Sequence, residues 1–431
     1  MKVERYEWDG ADAAAVAARL RAARPRPEEV AGAVSRIIAE VADGGDAALR
    51  ELARRLDGVE RAPDPVRVER DEIDAAPEAV EPGVLEAMQV ASGNIRALAE
   101  AELRASSPVD VELSEGQRVR QVETPVTSAG AYAPGGRAAY PSTVLMCCVP
   151  ARVAGVGRVA VASPPGSDGS VHSAVLAACS VAGVDEVYAV GGAQAIAALA
   201  LGTESVVPVE LVVGPGNRYV VEAKRMLSDR VGVDATAGPS ELVVIADASA
   251  QPRQLALDLC AQAEHGPDGL LVAASADRDL LEALGSLLGE LASERPSVAD
   301  VPVTLAAAPS TEAALRLADE LAPEHLELQL VDASEAAQPR VAGCVFVGSG
   351  GGTAFGDYAA GSNHVLPTGG AARFGRPLGP GSFLRRTSIV DIGLAAAAAL
   401  APTVDALARA EGFPVHGESA TARAGQNGGE R

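Results

Sequence analysis

The chain alternates between short apolar runs and amphipathic segments from residue 140 to residue 347, and this alternation limits the fold more than any other feature. The apolar runs that predict strands are 158–163, 186–190, 209–213, 242–246, 269–274, 302–306, 326–330 and 343–347. The segments with helical spacing are 142–154, 172–182, 193–200, 217–229, 252–264, 277–291 and 310–321. Strands that alternate with helices are typical of a parallel sheet covered by helices. Because two stretches of about 100 residues show this alternation, we predict an α/β protein with two Rossmann-like parallel-sheet units.

The segments outside this region predict a helical N-terminal part and a small C-terminal part. Their predicted helices are 27–42, a segment that starts at Asp46, 82–105 and 394–411, and their predicted strands are 109–113, 118–124 and 386–392. Gly44 and Gly45 interrupt the first helical segment. The Gly-rich stretch after residue 348 is expected to be irregular, and the polar tail 417–431 is expected to be disordered.

The net charge of −22 narrows the class of function, because the chain has 58 Asp and Glu residues but only 36 Lys and Arg residues. This balance argues against nucleic-acid binding, which needs a basic surface, and is compatible with a cationic small substrate. No run of about 18 apolar residues is available to span a membrane, and the N-terminus lacks the apolar core of a secretory signal. The five cysteines, an odd number, do not form a disulfide framework. We therefore expect a cytoplasmic protein without nucleic-acid or membrane partners.

Three Gly-containing turns join predicted strands to helices, and each carries a polar side chain. They are residues 132–136, 191–194 and 214–217, with the side chains of Tyr132, Gln194 and Asn217. Such turns present backbone N–H groups at helix N-termini, where phosphates bind. Because the turns alternate with strands of one parallel sheet, they should lie along its carboxyl edge. A turn of this kind often needs Gly for backbone reasons alone, but three turns with amide or phenol side chains favour a nucleotide-binding crevice.

Two other Gly-rich segments match part of a dinucleotide-binding fingerprint. The sequence GVGRVA at 155–160 precedes a strand, whereas the fingerprint follows a strand and opens a helix, so we interpret it as a helix stop and turn. The sequence GSGGGT at 348–353 follows a strand, but we expect no clean helix after it and find no acidic residue at the required distance. We assign no dinucleotide site to either segment.

Four of the five histidines lie in the C-terminal part of the chain, each beside polar or acidic residues: His265, His325, His364 and His416. Gln262 and His265 are three residues apart and project from one helix face. Two His side chains with an Asp and an amide oxygen make a plausible Zn²⁺ site. A scattered set of polar surface residues would show the same spacing, so spacing alone leaves both interpretations open.

Glu324 and His325 occupy a predicted helix-to-strand junction and are candidates for an acid–base pair. Adjacent residues on a strand point to opposite faces of the sheet. The two side chains can therefore serve one site only if the junction is irregular, and Pro323 can supply that irregularity.

The chain resembles the histidinol dehydrogenase family in several motifs that occur in order. The motifs are GAYAPGG (130–136), YPSTVLM (140–146), GGAQAIAALA (191–200), GPGN (214–217), AGPSE (237–241), QAEH (262–265), PEH (323–325), GD (356–357) and NHVLP (363–367). The resemblance covers residues 27–416, and several motifs are too long to match by chance.

The resemblance implies a reaction and a set of site residues. The reaction is the oxidation of L-histidinol to L-histidine through histidinal, in histidine biosynthesis, by a homodimer that uses Zn²⁺ and NAD and shares its active sites between subunits. The implied zinc ligands are Gln262, His265, Asp357 and His416, with His416 supplied by the partner subunit. The implied proton acceptors are Glu324 and His325, and the implied NAD contacts are Tyr132, Gln194 and Asn217. The implied substrate contacts are Ser240, Gln262, His265, His325, Asp357, Glu411 and His416.

With this family in view, we divide the chain into four parts. They are an N-terminal arm at 1–25, a first Rossmann-like domain formed by 26–130 together with 238–375, a second Rossmann-like domain at 131–237 that binds NAD, and a C-terminal tail domain at 376–431 that contacts the partner subunit.

Other classes of function remain as alternatives. An aldehyde dehydrogenase-like enzyme would need a reactive cysteine, but Cys147, Cys148 and Cys260 lie in predicted apolar or helical segments, so we assign no thiol nucleophile. A zinc hydrolase could use Glu324 as its base and would need no NAD. A non-catalytic metal-binding or scaffold protein would not account for the three polar Gly turns.

Overall fold

The computed structural model describes residues 1–25, 27–64, 66–106, 108–135, 138–235 and 238–424. The described chain divides into two compact units. The first comprises Met1–Ala101 and Thr127–Phe383, and the second comprises Glu102–Val126 and the chain from Leu384 onward. Gly136 and Ala237, which belong to two of the sequence motifs, lie outside the described residues.

The strands alternate with the helices along most of the chain. In the described residues the strands are β1 (Lys2–Glu7), β2 (Val109–Glu112), β3 (Arg118–Pro125), β4 (Ser128–Tyr132), β5 (Arg158–Ser163), β6 (Val187–Ala189), β7 (Leu211–Val213), β8 (Gly232–Val233), β9 (Glu241–Ala246), β10 (Leu270–Ser275), β11 (Pro302–Ala307), β12 (His325–Gln329), β13 (Cys344–Val347) and β14 (Leu384–Asp391). The α-helices are α1 (Ala13–Ala22), α2 (Ala31–Leu56), α3 (Arg70–Ala75), α4 (Pro82–Ala105), α5 (Pro141–Val153), α6 (Ser173–Val181), α7 (Gly192–Leu201), α8 (Arg218–Leu227), α9 (Pro252–Ala263), α10 (Arg278–Glu294), α11 (Thr311–Leu321), α12 (Ala333–Ala336), α13 (Thr353–Tyr358), α14 (Leu394–Glu411) and α15 (Pro414–Ala424).

The first sheet has the strand order β1-β11-β10-β9-β12-β13, and all of its pairs are parallel. Its central strands are buried on both faces, which explains their nearly continuous apolar sequence. On one face, Val244 of β9 packs in a cluster with Leu259 of α9 and Leu284 of α10. On the other face, Ile245 packs with Leu317 of α11 and with residues of α1.

The second sheet has the order β6-β5-β4-β7-β8 and is also parallel. The chain builds outward from β4 through β5 to β6 and then returns to place β7 on the other side of β4. Ligands of such sheets bind where the strand order reverses, beyond the carboxyl ends of the two strands. The helices α2, α7 and α8 share one buried cluster on this sheet. These two parallel sheets confirm the predicted α/β fold class.

The second unit contains an antiparallel sheet of order β14-β3-β2 and the helices α14 and α15. The predicted strands at 109–113, 118–124 and 386–392 correspond to this sheet, and the predicted helix 394–411 corresponds to α14. The prediction of disorder is wrong for residues 417–424, because they form most of α15. Residues 425–431 lie outside the described residues.

Residues 1–25 were predicted to form a separate N-terminal arm, but part of this segment belongs to the first sheet. Residues Lys2–Glu7 form the edge strand β1, which pairs with β11 from Lys2↔Pro302 to Glu7↔Ala307. The sequence KVERYE has no regular apolar alternation, so its strand structure depends on pairing with a distant part of the chain. The arm therefore belongs to the first sheet.

Three further boundaries differ from the sequence-based division. Residues assigned to the first Rossmann-like domain, such as Val34 and Leu49 of α2, instead pack in the cluster of the second sheet. The second sheet begins at Ser128 rather than at residue 131, and the second unit combines Glu102–Val126 with the chain from Leu384 onward. The predicted helix break survives as a kink inside α2, where Gly45 has a φ of 51°.

Within the described residues, no helix has both the length and the apolar character needed to cross a membrane.

Candidate active site

A cavity of about 480 Å³ lies where the carboxyl edge of the second sheet faces the amino edge of the first sheet. Tyr132 ends β4 and Asn217 follows β7, so both come from the carboxyl edge. Ser240 precedes β9 and Glu324 precedes β12, so both come from the amino edge. The cavity thus brings together residues that are almost 200 positions apart in the sequence.

An irregular turn carries Glu324 and His325 into this cavity. Helix α11 ends at Leu321, and Ala322 takes the left-handed conformation with φ 45° and ψ 60°. Strand β12 then begins at His325, with Glu324 just outside its first residue. Because Glu324 lies before the regular strand, the two neighbouring side chains line the same cavity instead of opposite faces. The irregular junction predicted at Pro323 is present.

The carboxylate of Glu324 is buried and held by two donors. Its Oε2 accepts hydrogen bonds from the Ser240 hydroxyl at 2.6 Å and from the Glu241 backbone N–H at 2.8 Å. Burial raises the pKa of Glu324 well above its ordinary value, and these two hydrogen bonds oppose that rise. The two donors therefore hold the Glu324 carboxyl group in one orientation at the cavity wall.

The imidazole of His325 is held in one orientation by a backbone carbonyl. Its Nδ1 lies 3.2 Å from the carbonyl oxygen of Glu241, which can only accept a hydrogen bond. The proton therefore resides on Nδ1, and Nε2 keeps its lone pair. Burial lowers the pKa of His325 to about 3, so the ring is neutral at pH 7. Nε2 lies 3.6 Å from Oδ1 of Asp357. Its lone pair lets the neutral imidazole act as a proton acceptor.

Three of the residues predicted as metal ligands lie in the first unit. His265 and Asp357 line the cavity, and burial lowers the pKa of His265 while it raises the pKa of Asp357 to about 7. Gln262 is 3% exposed; its Nε2 donates to the Ser240 hydroxyl, and its Oε1 has no hydrogen-bond partner among the described residues. A buried amide oxygen without a partner among the described residues, a neutral His and a carboxyl group are donor types compatible with Zn²⁺.

The described part of the chain contains no group of three or more His, Cys, Asp and Glu side chains arranged to hold a metal ion. Three of the four predicted ligands lie in the first unit, and of these only His265 and Asp357 are of the His, Cys, Asp or Glu type; His416 lies in the second unit. The predicted set is therefore incomplete within this unit.

His364 is a cavity residue to which the sequence analysis gave no role. Its Nδ1 lies 2.9 Å from the backbone carbonyl oxygen of Asp357, and its Nε2 lies 3.0 Å from the Thr143 hydroxyl. The carbonyl fixes the proton on Nδ1, so Nε2 accepts from Thr143. Burial lowers the pKa of His364 to about 4. The motif that contains His364 was visible in the sequence, but its contact with α5 was not, because Thr143 is more than 200 residues away.

Glu241 is a second residue without a predicted role. It is the first residue of β9 and is 4% exposed. Its backbone N–H and carbonyl contact Glu324 and His325, as described above, and its side chain forms an ion pair with Arg21 of α1. Neither spacing nor periodicity predicts such a pairing.

The described residues of the three Gly turns lie along the carboxyl edge of the second sheet, as predicted. The phenol oxygen of Tyr132 accepts a hydrogen bond of 3.0 Å from the N–H of Gly192, which begins α7. The side-chain oxygen of Asn217 caps α8 by accepting from the N–H groups of Tyr219 and Val220. Tyr132 and Asn217 line the cavity.

Gln194 is placed differently from the other two. It is 2% exposed, and its Nε2 donates to Asp57 at 2.9 Å. Gln194 does not appear among the residues that line the described cavity. In this structure its amide links α7 to the end of α2.

The two fingerprint-like segments have structural roles. Gly155 follows α5 with a φ of 90° and precedes β5, which fits its interpretation as a helix stop. The segment 348–353 leads from β13 into the six-residue helix α13, where no clean helix was expected. This helix carries Asp357 to the cavity.

The cysteines provide no activated thiol in the described structure. All five are unpaired, and Cys147, Cys148, Cys179 and Cys260 are buried. Burial raises the pKa of Cys147 and of Cys148 well above the ordinary value. A raised pKa keeps a thiol protonated and unreactive.

Glu411 and His416 belong to the second unit. Glu411 is the last residue of α14, and His416 lies in α15 with its ring 5.7 Å from that of Phe413. Their predicted roles in the site stay predictions.

Comparisons with known proteins give a consistent result. A family model described as histidinol dehydrogenase matches residues 20–424. A curated histidinol dehydrogenase of Rhodospirillum rubrum is 42% identical over 434 residues, which covers 97% of this chain and 98% of the relative. One from a Synechococcus species is 42% identical over 90% of this chain and 91% of the relative. The crystal structure of histidinol dehydrogenase from Elizabethkingia anophelis superimposes with a TM-score of 0.89 at 29% identity and covers 98% of both chains.

Proposed function

Because this chain belongs to the histidinol dehydrogenase family and is an oxidoreductase of histidine biosynthesis, we propose that it oxidises L-histidinol to L-histidine in two NAD-linked steps through histidinal. The observation that carries the proposal is that one cavity is lined by the acid–base pair Glu324 and His325 and by the turn residues Tyr132 and Asn217. A cavity of about 480 Å³ has room for a small substrate next to one end of a bound nucleotide.

His325 is the proposed base for the alcohol. Its Nε2 carries the lone pair that would accept the hydroxyl proton of histidinol, since the proton on Nδ1 is directed at the carbonyl of Glu241. The neutral state of the ring, which follows from its lowered pKa, is the state that a base requires. The same nitrogen can serve again when the hydrated aldehyde is oxidised.

Glu324 is the proposed base for water. Hydration of histidinal requires a group that removes a proton from water, and the Glu324 carboxylate lines the cavity next to His325. Hydration by water makes a thioester unnecessary, which agrees with the buried, protonated cysteines. This argument favours the proposed reaction over an aldehyde dehydrogenase-like one.

Zn²⁺ is the proposed metal, and Gln262, His265 and Asp357 would hold it from one subunit. Their donor atoms fit, since the Oε1 of Gln262 is buried and has no partner in the described part of the chain, and burial keeps His265 neutral. When bound, Zn²⁺ supplies a Lewis acid that attracts the imidazole and amine of histidinol, and NAD⁺ supplies a hydride acceptor. The protein residues then orient the carbinol carbon toward His325.

The NAD contacts are proposed for Tyr132, Gln194 and Asn217. The turns that hold Tyr132 and Asn217 follow β4 and β7, between which the strand order reverses. This is the position where parallel sheets bind nucleotides. Gln194 would have to exchange its bond to Asp57 to contact the nucleotide.

We also propose a homodimer in which His416 of one subunit completes the zinc site of the other and Glu411 contacts the substrate. The proposal follows the family resemblance, and both residues belong to the second unit, whereas the other three proposed ligands belong to the first. Inactive His416→Ala and inactive His265→Ala proteins, mixed and allowed to exchange subunits, should recover partial activity. Heterodimers that remain inactive would exclude a shared site.

A cytoplasmic location is proposed from the five free cysteines, which are typical of a reducing compartment.

The function is tested by incubating the purified protein with L-histidinol and NAD⁺ and measuring NADH at 340 nm together with histidine. The expected result is two NADH molecules for each histidine. A zinc hydrolase would form no NADH, and the absence of NADH from histidinol would refute the proposed function.

A further inference from the structure

Glu241 contacts the Glu324–His325 dipeptide through its backbone and its side chain. Its backbone N–H donates to the Glu324 carboxylate at 2.8 Å, and its carbonyl oxygen lies 3.2 Å from Nδ1 of His325. Its side-chain Oε2 accepts the backbone N–H of Glu324 at 3.2 Å, and its Oε1 accepts the N–H of Gly369 at 3.0 Å. One residue thus holds both the backbone and the side chains of the catalytic dipeptide.

Arg21 connects this residue to the turn that precedes the dipeptide. Its Nη1 donates to Oε1 of Glu241 at 2.6 Å and its Nη2 to Oε2 at 3.2 Å, which is a bidentate ion pair. The same guanidinium donates from Nε to the backbone carbonyl of Leu321 at 3.2 Å, and Nη2 also contacts that carbonyl. Arg21 therefore bridges the start of β9 and the end of α11.

The turn between α11 and β12 contains a residue in a strained backbone conformation. Ala322 adopts the left-handed conformation that residues with a Cβ avoid, and it is fully buried. A buried carboxylate such as that of Glu241 is costly unless a cation and hydrogen bonds satisfy it. The carboxylate of Glu241 has both, since Arg21, Gly369 and Glu324 all donate to it.

We propose that Arg21 and Glu241 act together as a positioning pair that fixes the catalytic dipeptide in the orientation its chemistry needs. This inference rests on the proposed function of Glu324 and His325. The pair does not touch the reacting atoms. It acts because Nε2 of His325 can face the substrate only while the turn and the Glu241 carbonyl keep their places.

The test uses Arg21→Met, Glu241→Gln and the double variant of the full-length, zinc-loaded enzyme. In Glu241→Gln, the NH₂ group of the amide must face groups that are themselves hydrogen-bond donors. In Arg21→Met, the side chain keeps a similar length but loses the guanidinium group. Each single variant should lower kcat by roughly 10²-fold with little change in KM for histidinol or NAD⁺, because a displaced base slows chemistry rather than binding. The double variant should be no slower than the slower single variant.

The ion pair between Arg340 and Asp319 provides a matched control. It is partly buried, its N–O distance is 2.8 Å, and Asp319 belongs to α11. Arg340→Met should leave kcat unchanged. If Glu241→Gln does not fold, Arg21→Lys replaces it, since Lys keeps the charge but cannot bridge Leu321 and both carboxylate oxygens. The expected loss in kcat for Arg21→Lys is smaller than for Arg21→Met.

Hydrogen exchange of the Glu324 amide gives a readout that does not depend on turnover. That amide donates to Glu241, so its exchange should accelerate in Arg21→Met and stay unchanged in Arg340→Met. Wild-type kcat in the folded Arg21 variants, losses that multiply in the double variant, or unchanged exchange at Glu324 would each overturn the positioning pair. An inactive wild-type enzyme would instead refute the proposed function, and the exchange measurement would still test the pair.

Discussion

The hydroxyl of Ser240 donates a hydrogen bond of 2.6 Å to Oε2 of Glu324 and so links the residue before β9 to the residue before β12. The same hydroxyl oxygen accepts from Nε2 of Gln262. A line of hydrogen bonds therefore runs from the proposed metal ligand Gln262 to the proposed base Glu324. Ser240, which the family resemblance assigns to substrate binding, also orients the carboxylate that we propose as a base.

Replacing Ser240 by Ala removes one of the two donors to the Glu324 carboxylate. A hydrogen bond to a charged group contributes about 1.5–3 kcal/mol, which corresponds to a loss of roughly 10- to 100-fold in kcat. Steady-state kinetics with histidinol and with histidinal would measure this loss. Ser240→Thr keeps the hydroxyl and should retain most of the activity; equal activity of the Ala and Thr variants would contradict the role of the hydroxyl.

Glu324→Gln and His325→Asn should affect the two oxidations differently. Water activation needs Glu324, so Glu324→Gln should slow histidinal oxidation more than histidinol oxidation, whereas His325→Asn should slow both. Loss of a positioned base costs about 10²–10⁴ in rate. Single-turnover measurements that start from each substrate separate the steps, and small, equal losses in both steps would contradict the assignment.

His265→Ala should reduce the zinc bound by the purified protein. The side chain is a buried, neutral imidazole on the cavity wall, which suits a metal ligand. The zinc content per subunit, measured by elemental analysis, should fall well below that of wild type, and dialysis against a chelator should inactivate the wild-type enzyme. The control is His172→Ala, since His172 is exposed at the N-terminus of α6; equal zinc in both variants would argue against His265 as a ligand.

Cys147→Ala, Cys148→Ala and Cys260→Ala should retain turnover, apart from modest losses of stability through packing. These side chains are buried, and burial raises the pKa of each thiol. Turnover, thermal stability and zinc content would be measured together. An inactive but folded and zinc-loaded variant would revive the thioester mechanism.

Glu327 should make stability depend on pH. It is fully buried in β12, and burial together with the nearby charge of Asp258 raises its pKa to about 9. In the unfolded chain a Glu titrates near pH 4.3. Between these values the folded protein binds a proton that the unfolded chain has released, so the free energy of unfolding falls as the pH rises, by up to about 1.4 kcal/mol per pH unit.

Glu327→Gln removes this titration, because its amide can donate to Asp258 without taking up a proton. Denaturant unfolding from pH 6 to pH 9 should show a shallower decline for the variant than for wild type. The exposed Glu290→Gln serves as the control and should keep the wild-type slope. Parallel pH profiles for wild type and Glu327→Gln would show that Glu327 is not protonated in the folded state.

Local patterns predicted most of the regular structure, and the exceptions have physical causes. The buried strands β9 and β10 and the helix α14 were visible from apolar runs and helical spacing. Strand β1 was missed because its structure comes from pairing with β11, about 300 residues away. Residues 417–424 of α15 were predicted to be disordered because their polar, Gly-containing sequence lacks a continuous apolar stripe.

The sequence by itself determined the α/β class and the order of most strands and helices, and its motifs identified the family. These properties follow from short-range periodicity and from residues that are close together in the chain. Only the tertiary structure decided that Tyr132 and Asn217, from the carboxyl edge of the second sheet, line the same cavity as Glu324 and His325, from the amino edge of the first sheet. It also decided that Arg21 pairs with Glu241. Such contacts join segments up to 220 residues apart, and they form only when the packing of whole sheets brings those segments together.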